Sequence, residues 1–163
     1  MFSQLQKSFV AGLGASFATW LLLSLTHYTG HLWLMAPFGA SCVILFALPD
    51  SPLARAQNVI MGHFLTALTG LIVLHFAPVS SFTIAFAVGI GIILMMISKT
   101  THPPAGANPL LILLSGKTFT WGFLLFPVLT GATMLVLTSA VYHWLSHPSN
   151  IHAIGQKVRK IIR

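Results

Sequence analysis

Apolar stretches long enough to cross a bilayer occupy most of this sequence. Four of them run over about residues 8–27, 57–77, 80–98 and 119–145, and a transmembrane helix needs about 20 apolar residues. Of the 163 residues, 56% are hydrophobic and only 6% are charged, whereas an ordinary soluble domain has about 25% charged residues. Because no soluble core of this size could bury so much apolar surface, the sequence predicts an all-α integral membrane protein.

The first apolar stretch is better explained by a membrane helix than by a cleaved signal peptide. It follows Lys7 and runs from Ser8 to Thr26, which is the length of a membrane helix. No convincing small-residue cleavage site follows it. A multi-pass protein of a bacterial inner membrane is the simplest expectation.

Two further apolar stretches are shorter and are interrupted by proline and glycine. The first broken segment is HLWLMAPFGASCVILFALP, residues 31–49, and the second is THPPAGANPLLILLSG, residues 101–116. Unwound backbone inside a bilayer is tolerated only where protein or a watery cavity covers it. Both segments are therefore candidates for a functional region.

The two broken segments resemble each other, which predicts an internal duplication. PFGASCVILF (37–46) aligns with PAGANPLLIL (104–113), and the helices that follow also align, LTALTGLIV (65–73) with LTGATMLVL (129–137). Each repeat then consists of a full helix, a broken segment and a full helix. The predicted repeats cover about residues 8–77 and 80–145. Interrupted segments at corresponding places in two repeats point to the binding site of a transporter.

The positions of the cations predict that both broken segments cross the membrane. With a cytoplasmic N-terminus, two such crossings place Arg55 and Lys99 inside, together with Lys7 and the basic C-terminal tail, and leave only Lys117 outside. Re-entrant segments would instead place Arg55, Lys99 and Lys117 outside. Since cytoplasmic loops are enriched in Lys and Arg, we expect six crossings, cytoplasmic termini and two inverted repeats.

The prolines of the second broken segment explain how so short a stretch could cross. Pro103 and Pro104 lack backbone donors and disfavour helix in the residues before them. We expect extended backbone over Thr100–Ala105 and helix over Gly106–Gly116, which together reach about 35 Å. Gly106 is expected to permit a sharp turn and the close approach of another group.

A helix that begins inside the bilayer offers free N–H groups and a partial positive charge, which suit an anion. The two half-helices are expected to begin near Gly39–Ser41 and Gly106–Asn108 and to aim at one central region. Their polar side chains, Ser41 and Asn108, either cap their own helices or contact a ligand. The only acid, Asp50, lies at a boundary, whereas a cation or proton-coupled site usually contains Asp or Glu. The pattern predicts a site for a small anion.

THPPAGA, with APFGAS upstream, resembles the HPP family of small integral membrane proteins. The resemblance covers about residues 5–148, a transmembrane domain that a basic cytoplasmic tail, residues 149–163, would follow. Family members are usually described with four membrane helices, and members from cyanobacteria and chloroplasts have been linked to nitrite transport. The resemblance therefore implies nitrite, or a similar small anion, as the substrate. The residues that carry it are His102, Pro103, Pro104, Pro37, Gly39 and Ala40.

The candidate substrate-binding residues are those of the two matched motifs, together with one flanking cation. Lys99 either extends to the lipid headgroups or forms an electrostatic funnel that concentrates anions. The set comprises Pro37, Phe38, Gly39, Ala40, Ser41, Lys99, His102, Pro103, Pro104, Ala105, Gly106, Ala107 and Asn108.

The histidines do not predict a metal site. His27 and His31, like His143 and His147, are spaced i, i+4, but no carboxylate accompanies either pair. We expect these four to anchor helix ends. His63 lies deep in the second apolar stretch, where it either lines a pore or forms a hydrogen bond to a neighbouring helix.

Other classes of function are disfavoured by what the sequence lacks. No nucleophile–base pair, HExxH or GxSxG motif is present, so no enzyme activity, catalytic residue or cofactor is expected. The cations are scattered singly apart from the tail, which does not suit nucleic acid. The alternative to a transporter is a membrane scaffold or an assembly or regulatory protein, because small-residue patterns also serve helix packing.

Two kinds of partner are expected besides the anion. The tail sequence KVRKIIR is expected to lie on anionic lipid headgroups. Gly12 with Gly14, and Gly89 with Gly91, permit close helix contact. We therefore expect a homo-oligomer.

Overall fold

The computed structural model describes residues 3–146, and this part of the chain contains helices and loops but no strand. The all-α prediction is confirmed. The predicted basic tail, residues 149–163, lies outside the described residues. The α-helices are α1 (Gln4–Thr29), α2 (Pro37–Cys42), α3 (Ala56–Phe76), α4 (Ser81–Ile97), α5 (Asn108–Leu114) and α6 (Thr130–Ser146).

Within residues 3–146, three helical stretches are long and apolar enough to cross a membrane: Gln4–Thr29, Ala56–Phe76 and Trp121–Ser146. The expected fourth, over residues 80–98, is shorter. Helix α4 has 17 residues, or about 26 Å of helix, against the ~30 Å of a hydrocarbon core. Four full-length membrane helices are therefore not confirmed.

Local signals at both ends explain the length of α4. The Ser80 hydroxyl accepts a hydrogen bond from the Thr83 N–H, and the Thr83 side chain accepts one from the Ser80 N–H, so a capping box begins the helix. At the other end Lys99 adopts the left-handed conformation, with φ 56°. The Thr100 N–H then bonds back to the Met95 carbonyl at 2.8 Å, which stops the helix.

The last span is interrupted near its start. Trp121–Leu124 is a 3₁₀ helix, Leu125–Leu129 is a π-helical turn, and regular helix begins only at Thr130. Inside the turn Phe126 has extended backbone, φ −120° and ψ 118°, as expected for a residue that precedes proline. The predicted continuous helix over 119–145 is therefore wrong at its beginning.

The broken segments are interrupted helices, and each is shorter than a full span. The first consists of α2 followed by a π-helical turn, Val43–Ala47. In the second, extended backbone ends at His102, with φ −136° and ψ 99°, and a 3₁₀ helix over Pro103–Ala107 leads into α5. The predicted extension through Ala105 is wrong, because proline suits the first turn of a helix, where its missing N–H leaves no partner unpaired.

Helix α3 is the centre of the bundle. It packs against α4, α5, α6 and the Pro103–Ala107 turn, and it is the most buried of the three long spans. Helix α1 lies at the periphery, where Tyr142 of α6 donates a hydrogen bond to the Val10 carbonyl at 2.8 Å. Long apolar side chains on the outer face of α1 are exposed, as expected of a surface in contact with lipid.

In each predicted pair of contact glycines, one glycine packs closely against another part of the same chain. A Cβ atom at Gly14 would lie 2.5 Å from Cδ1 of Phe46, and one at Gly91 would lie 3.1 Å from Cγ2 of Thr66. A Cβ atom at Gly12 or Gly89 would have no such neighbour within 4 Å. Only Gly12 and Gly89 therefore remain available for contact with a second copy.

Candidate functional site

Five polar side chains meet in the mostly apolar interior, and we call them the polar cluster. They come from four different elements: α2, α3, the loop before the Pro103–Ala107 turn, and α5. Each residue has 0% of its surface exposed. The members are Ser41, His63, Thr66, His102 and Asn108.

Ser41 joins the two histidines of the cluster. Its Oγ atom lies 2.8 Å from Nε2 of His63 and 2.8 Å from Nε2 of His102. The two imidazole rings are edge to face, with centroids 5.1 Å apart. The first broken segment and the residue just before the Pro103–Ala107 turn therefore meet on α3.

Asn108 holds the other side of His63. Its Nδ2 atom lies 3.1 Å from Nδ1 of His63, 3.0 Å from the His63 carbonyl and 2.9 Å from Oγ1 of Thr66. The carbonyl contact fixes the amide orientation, because a carbonyl oxygen only accepts hydrogen bonds. Oδ1 of Asn108 is buried and has no partner, so the cluster keeps one open acceptor.

The capping interpretation of the two matched polar residues is wrong. No side-chain hydrogen bond caps α2 or α5. Ser41 and Asn108 instead bond to His63, which thus forms one hydrogen bond with each broken segment. This confirms the option that His63 bonds to neighbouring segments.

The second broken segment lies very close to α3, and a glycine makes this possible. A Cβ atom at Gly62 would lie 3.0 Å from Cβ of His102 and 3.0 Å from the Thr100 carbonyl. Asn58 adds a side-chain hydrogen bond to the Thr101 carbonyl at 3.0 Å. These contacts hold His102 against α3 beside Gly62, the residue that precedes His63.

The bonding partners determine where the protons of the neutral cluster lie. Nδ1 of His102 is 3.0 Å from the Leu53 carbonyl, which only accepts, so Nδ1 carries the proton and Nε2 is an acceptor. Ser41 then donates to His102, whose nitrogen is closer than the Pro37 carbonyl at 3.4 Å. Nε2 of His63 donates to Ser41, and Nδ1 of His63 accepts from Asn108. All four bonds run in one direction, from Asn108 to Leu53.

The sequence placed free backbone donors at the starts of the half-helices, and this expectation is wrong. The Gly39 N–H donates to the Ala36 carbonyl at 3.1 Å, and the Asn108 N–H donates to the Ala105 carbonyl. Short 3₁₀ bonds of this kind satisfy first-turn donors locally. The polar groups that remain in this region are the side chains of the polar cluster.

No protein group makes the close approach that was expected at Gly106, and the approach of an anion to this residue stays a prediction. A Cβ atom on this residue would meet no atom within 4 Å outside its own local backbone, and Gly39 is equally open. A glycine that is closely approached beside the polar cluster is Gly62, which the motif comparison missed. Its sequence signal is the group Gly62, His63 and Thr66, small and polar residues within an apolar helix.

The remaining predicted residues differ in burial. Pro37, Phe38, Pro104 and Ala105 are buried, and the Phe38 ring lies edge to face with His63 at 4.9 Å. Others face outward from the bundle or are partly covered. Ala40, Lys99 and Pro103 are exposed, and Ala107 is half-buried.

Two open cavities lie at opposite ends of the bundle, and a cation lines each of them. The cavity near the end of α3 has a volume of about 520 Å³ and is lined by His75 and Lys117. The cavity near the start of α1 has a volume of about 420 Å³ and is lined by Lys7, Asp50 and His143. Neither cavity is lined by a residue of the polar cluster.

The histidines outside the cluster are dispersed. His143 donates to the Leu45 carbonyl at 2.8 Å, and His31 stacks on Phe126 at a centroid distance of 4.8 Å. His147 lies outside the described residues. Within residues 3–146 no group of three His, Cys, Asp or Glu side chains could hold a metal ion.

This fold and its buried centre define a multi-pass helical membrane protein in which two interrupted segments and one long helix surround a polar cluster. The chain belongs to the HPP transmembrane family, because a profile described as "HPP, transmembrane region" matches residues 2–151. The histidine of the motif that the sequence singled out is thus a member of the cluster.

Two curated relatives are described as transmembrane proteins, both from Dictyostelium discoideum. One is 39% identical over 139 residues, which is 78% of this chain and 48% of the relative. The other is 32% identical over 138 residues, which is 78% of this chain and 44% of the relative. The chain thus spans about half the length of these relatives. No solved structure matches it.

Proposed function

We propose that the protein transports a small monovalent inorganic anion, nitrite first, and that the anion passes the polar cluster. The observation that carries this proposal is the Ser41 bridge, which joins both broken segments to α3 within the polar cluster. Polar groups at this depth in a membrane protein are costly and are usually functional. The resemblance to nitrite-linked members of the family supplies the choice of anion.

The charge distribution supports an anion rather than a cation. The cluster contains hydroxyl, amide and imidazole groups but no carboxylate, and the only acid of the chain is Asp50. Cations line both open cavities, Lys117 at one end and Lys7 at the other. Charges in such positions raise the local concentration of anions.

The burial of the cluster supports a transporter rather than an open channel. Each cluster residue is fully buried, and the two cavities are lined by other residues. An anion would reach the cluster only after the segments around it move. The order of long helix, broken segment and long helix, followed by the same order beginning with α4, supports two inverted repeats and six crossings as part of this proposal.

The proposal also includes the sequence-based expectations for location, assembly, enzyme activity and the basic tail. The protein would act in a bacterial inner membrane as a homo-oligomer with both termini in the cytoplasm. It would have no enzyme activity. The basic tail would bind anionic lipid.

The test is nitrite entry into proteoliposomes that contain the purified protein, with protein-free vesicles as the background. Ser41→Ala is expected to lower the protein-dependent rate at least tenfold. Ser139→Ala is the matched control, because Ser139 is also buried but bonds to the Leu45 carbonyl at 3.2 Å, outside the cluster. This control is expected to transport like the parent.

A second candidate, a membrane scaffold, is favoured by one observation. The first-turn donors at Gly39 and Asn108 are already bonded within the chain, as a purely structural element would require. If the correctly inserted parent moves neither nitrite nor nitrate, formate or chloride, the transport proposal is wrong and the scaffold takes its place.

A further inference from the structure

The polar cluster contains two histidines but no acid, so a positive charge on either histidine would lack a negative partner. Ser41 bonds to both histidines. The other side-chain partner of His63 is Asn108, and the other partner of His102 is the Leu53 carbonyl. All of these partners are neutral. A protonated imidazole here would have no carboxylate to balance it. An unpaired charge in a region that excludes water is strongly unfavourable.

The elements around the cluster bring no compensating charge. No titratable side chain lies on α4, on α5, in the Pro103–Ala107 turn or in Trp121–Leu129. The other titratable groups on the packed elements bond elsewhere or lie at the ends of the bundle. They are Lys7, His27 and Tyr28 on α1, Cys42 on α2, His75 on α3, and Tyr142 and His143 on α6, with Asp50, Arg55 and Lys99 in the connecting loops.

We propose that the His63–Ser41–His102 bridge takes up one proton together with one monovalent anion, so that transport is an electroneutral proton–anion symport. The inference rests on the proposed anion transport and specifies its coupling. Proton plus anion forms a neutral pair at the cluster, whereas either ion alone leaves an unbalanced charge there. The histidine pair thus fulfils the role for which other proton-coupled sites use a carboxylate.

The hydrogen-bond order allows the proton to cross the bridge without any other chemistry. A proton that binds Nδ1 of His63 lets that ring pass its Nε2 proton to Oγ of Ser41, while Ser41 passes its own proton to Nε2 of His102. One proton is gained, His102 becomes the imidazolium, and only N–H and O–H bonds are exchanged. His102 then releases to water the Nδ1 proton that it had donated in a hydrogen bond to the Leu53 carbonyl, once the segments around the cluster have moved.

The contacts at the two ends of the bridge favour a return to the original direction of its hydrogen bonds. After proton release, an N–H of His63 faces the amide N–H groups of Asn108, and a bare nitrogen of His102 faces the Leu53 carbonyl. Both contacts are unfavourable, because each joins like hydrogen-bonding groups. Reorientation of the side chains re-forms the original order, which makes the bridge ready for the next proton.

The experiment measures nitrite entry and lumenal pH together in proteoliposomes that contain a pH-sensitive dye. Nitrous acid crosses lipid unaided, so protein-free vesicles at the same pH gradient give the background. We expect the protein-dependent initial rate to rise by up to about tenfold for each unit by which the outside is more acidic, while the bridge is mostly unprotonated, because each transport cycle needs one proton. One proton should enter with each nitrite, and a potassium–valinomycin potential of either sign should leave the rate unchanged.

The outcomes separate the coupling from the transport. If the parent carries nitrite at a rate that follows membrane potential and ignores the pH gradient, the symport is wrong and the proposed function stands. If no anion moves, the proposed function itself is wrong. His102→Gln keeps a hydrogen-bonding side chain that does not titrate. In this variant the increase in rate caused by external acid should be at least tenfold smaller than in the parent, while Ser139→Ala should retain the full increase. A well-folded His102→Gln variant with unchanged pH dependence would also overturn the symport.

Discussion

The hydroxyl of Ser41 and the imidazole of His102 are separated by 61 positions in the sequence, yet Oγ and Nε2 lie 2.8 Å apart. This bond connects the two matched motifs directly. Since Ser41 also bonds to His63, the loss of one oxygen atom leaves one nitrogen of each buried imidazole without its partner.

The first prediction concerns the energetic coupling of this pair. Ser41→Ala and His102→Gln should each lower the free energy of unfolding by about 1–3 kcal/mol, because buried polar groups lose partners. The double variant should lose less than the sum, with a coupling energy of about 0.5–3 kcal/mol. Unfolding by SDS titration in mixed micelles measures all three. Ser139→Ala combined with His102→Gln is the control, and additive losses in both pairs would show that Ser41 and His102 do not interact.

The second prediction contrasts two glycines. Gly62→Val should prevent the second broken segment from packing on α3, because even a Cβ atom would lie 3.0 Å from His102 and from the Thr100 carbonyl. Gly106→Val meets open space at Cβ and should insert and fold like the parent. Thermal unfolding followed by fluorescence-detected gel filtration distinguishes them. Equal stability of the two variants would contradict the close contact at Gly62.

The third prediction concerns topology. Leu53 bonds to His102, and Asn58 bonds to the Thr101 carbonyl, so Arg55 and Lys99 should be labelled from the same side of the membrane. Cysteines introduced at these positions in a Cys42→Ser background should react only with a permeant maleimide in intact cells. A cysteine at position 117 should react with an impermeant reagent. External labelling at position 55 would rule out the six-crossing arrangement.

The fourth prediction concerns assembly. Gly12 and Gly89 have open space at Cβ, so Gly12→Leu and Gly89→Leu should weaken a homo-oligomer without unfolding the subunit. Mass photometry in nanodiscs measures the number of copies. Gly14→Leu is the contrasting variant, which should destabilise the subunit itself because Phe46 and Tyr142 occupy the space. A monomeric parent would refute the predicted oligomer.

The fifth prediction concerns Lys99, which is exposed three residues before His102. Lys99→Gln should raise the apparent KM for nitrite several-fold at low salt, because a cation at the approach concentrates anions. The difference should vanish at high salt, since exposed charges are screened over about 8 Å at physiological ionic strength. Initial rates across a salt series test this. A change that persists at high salt would indicate direct binding instead of attraction at a distance.

Much of the architecture could be predicted because it follows from local signals. Apolar length identified α1 and α3 to within a few residues, and the prolines identified both interruptions. Lys99 shows where the prediction stopped, because a left-handed helix end depends on contacts that no short pattern records. The kink at Phe126 was missed although the proline after it signals an extended residue.

Several residues of the polar cluster were predicted to lie together, but their bonding was not predicted. Ser41, His102 and Asn108 were found because the motifs align, and they do meet in the interior. The partner that connects them, His63, belongs to no motif, and its role appears only when four elements pack together. Local 3₁₀ bonds removed the backbone donors on which the sequence argument relied.

The left-handed backbone of Lys99 makes stability and charge compete at a single position. A non-glycine residue at φ 56° bears strain of about 1–3 kcal/mol, which a glycine would relieve. Lys99→Gly should therefore give a more stable protein that attracts the proposed anion less strongly. The change would help crystallisation and slow the proposed uptake. A screen for thermostable variants would select this change, and one for growth on scarce nitrite would reject it.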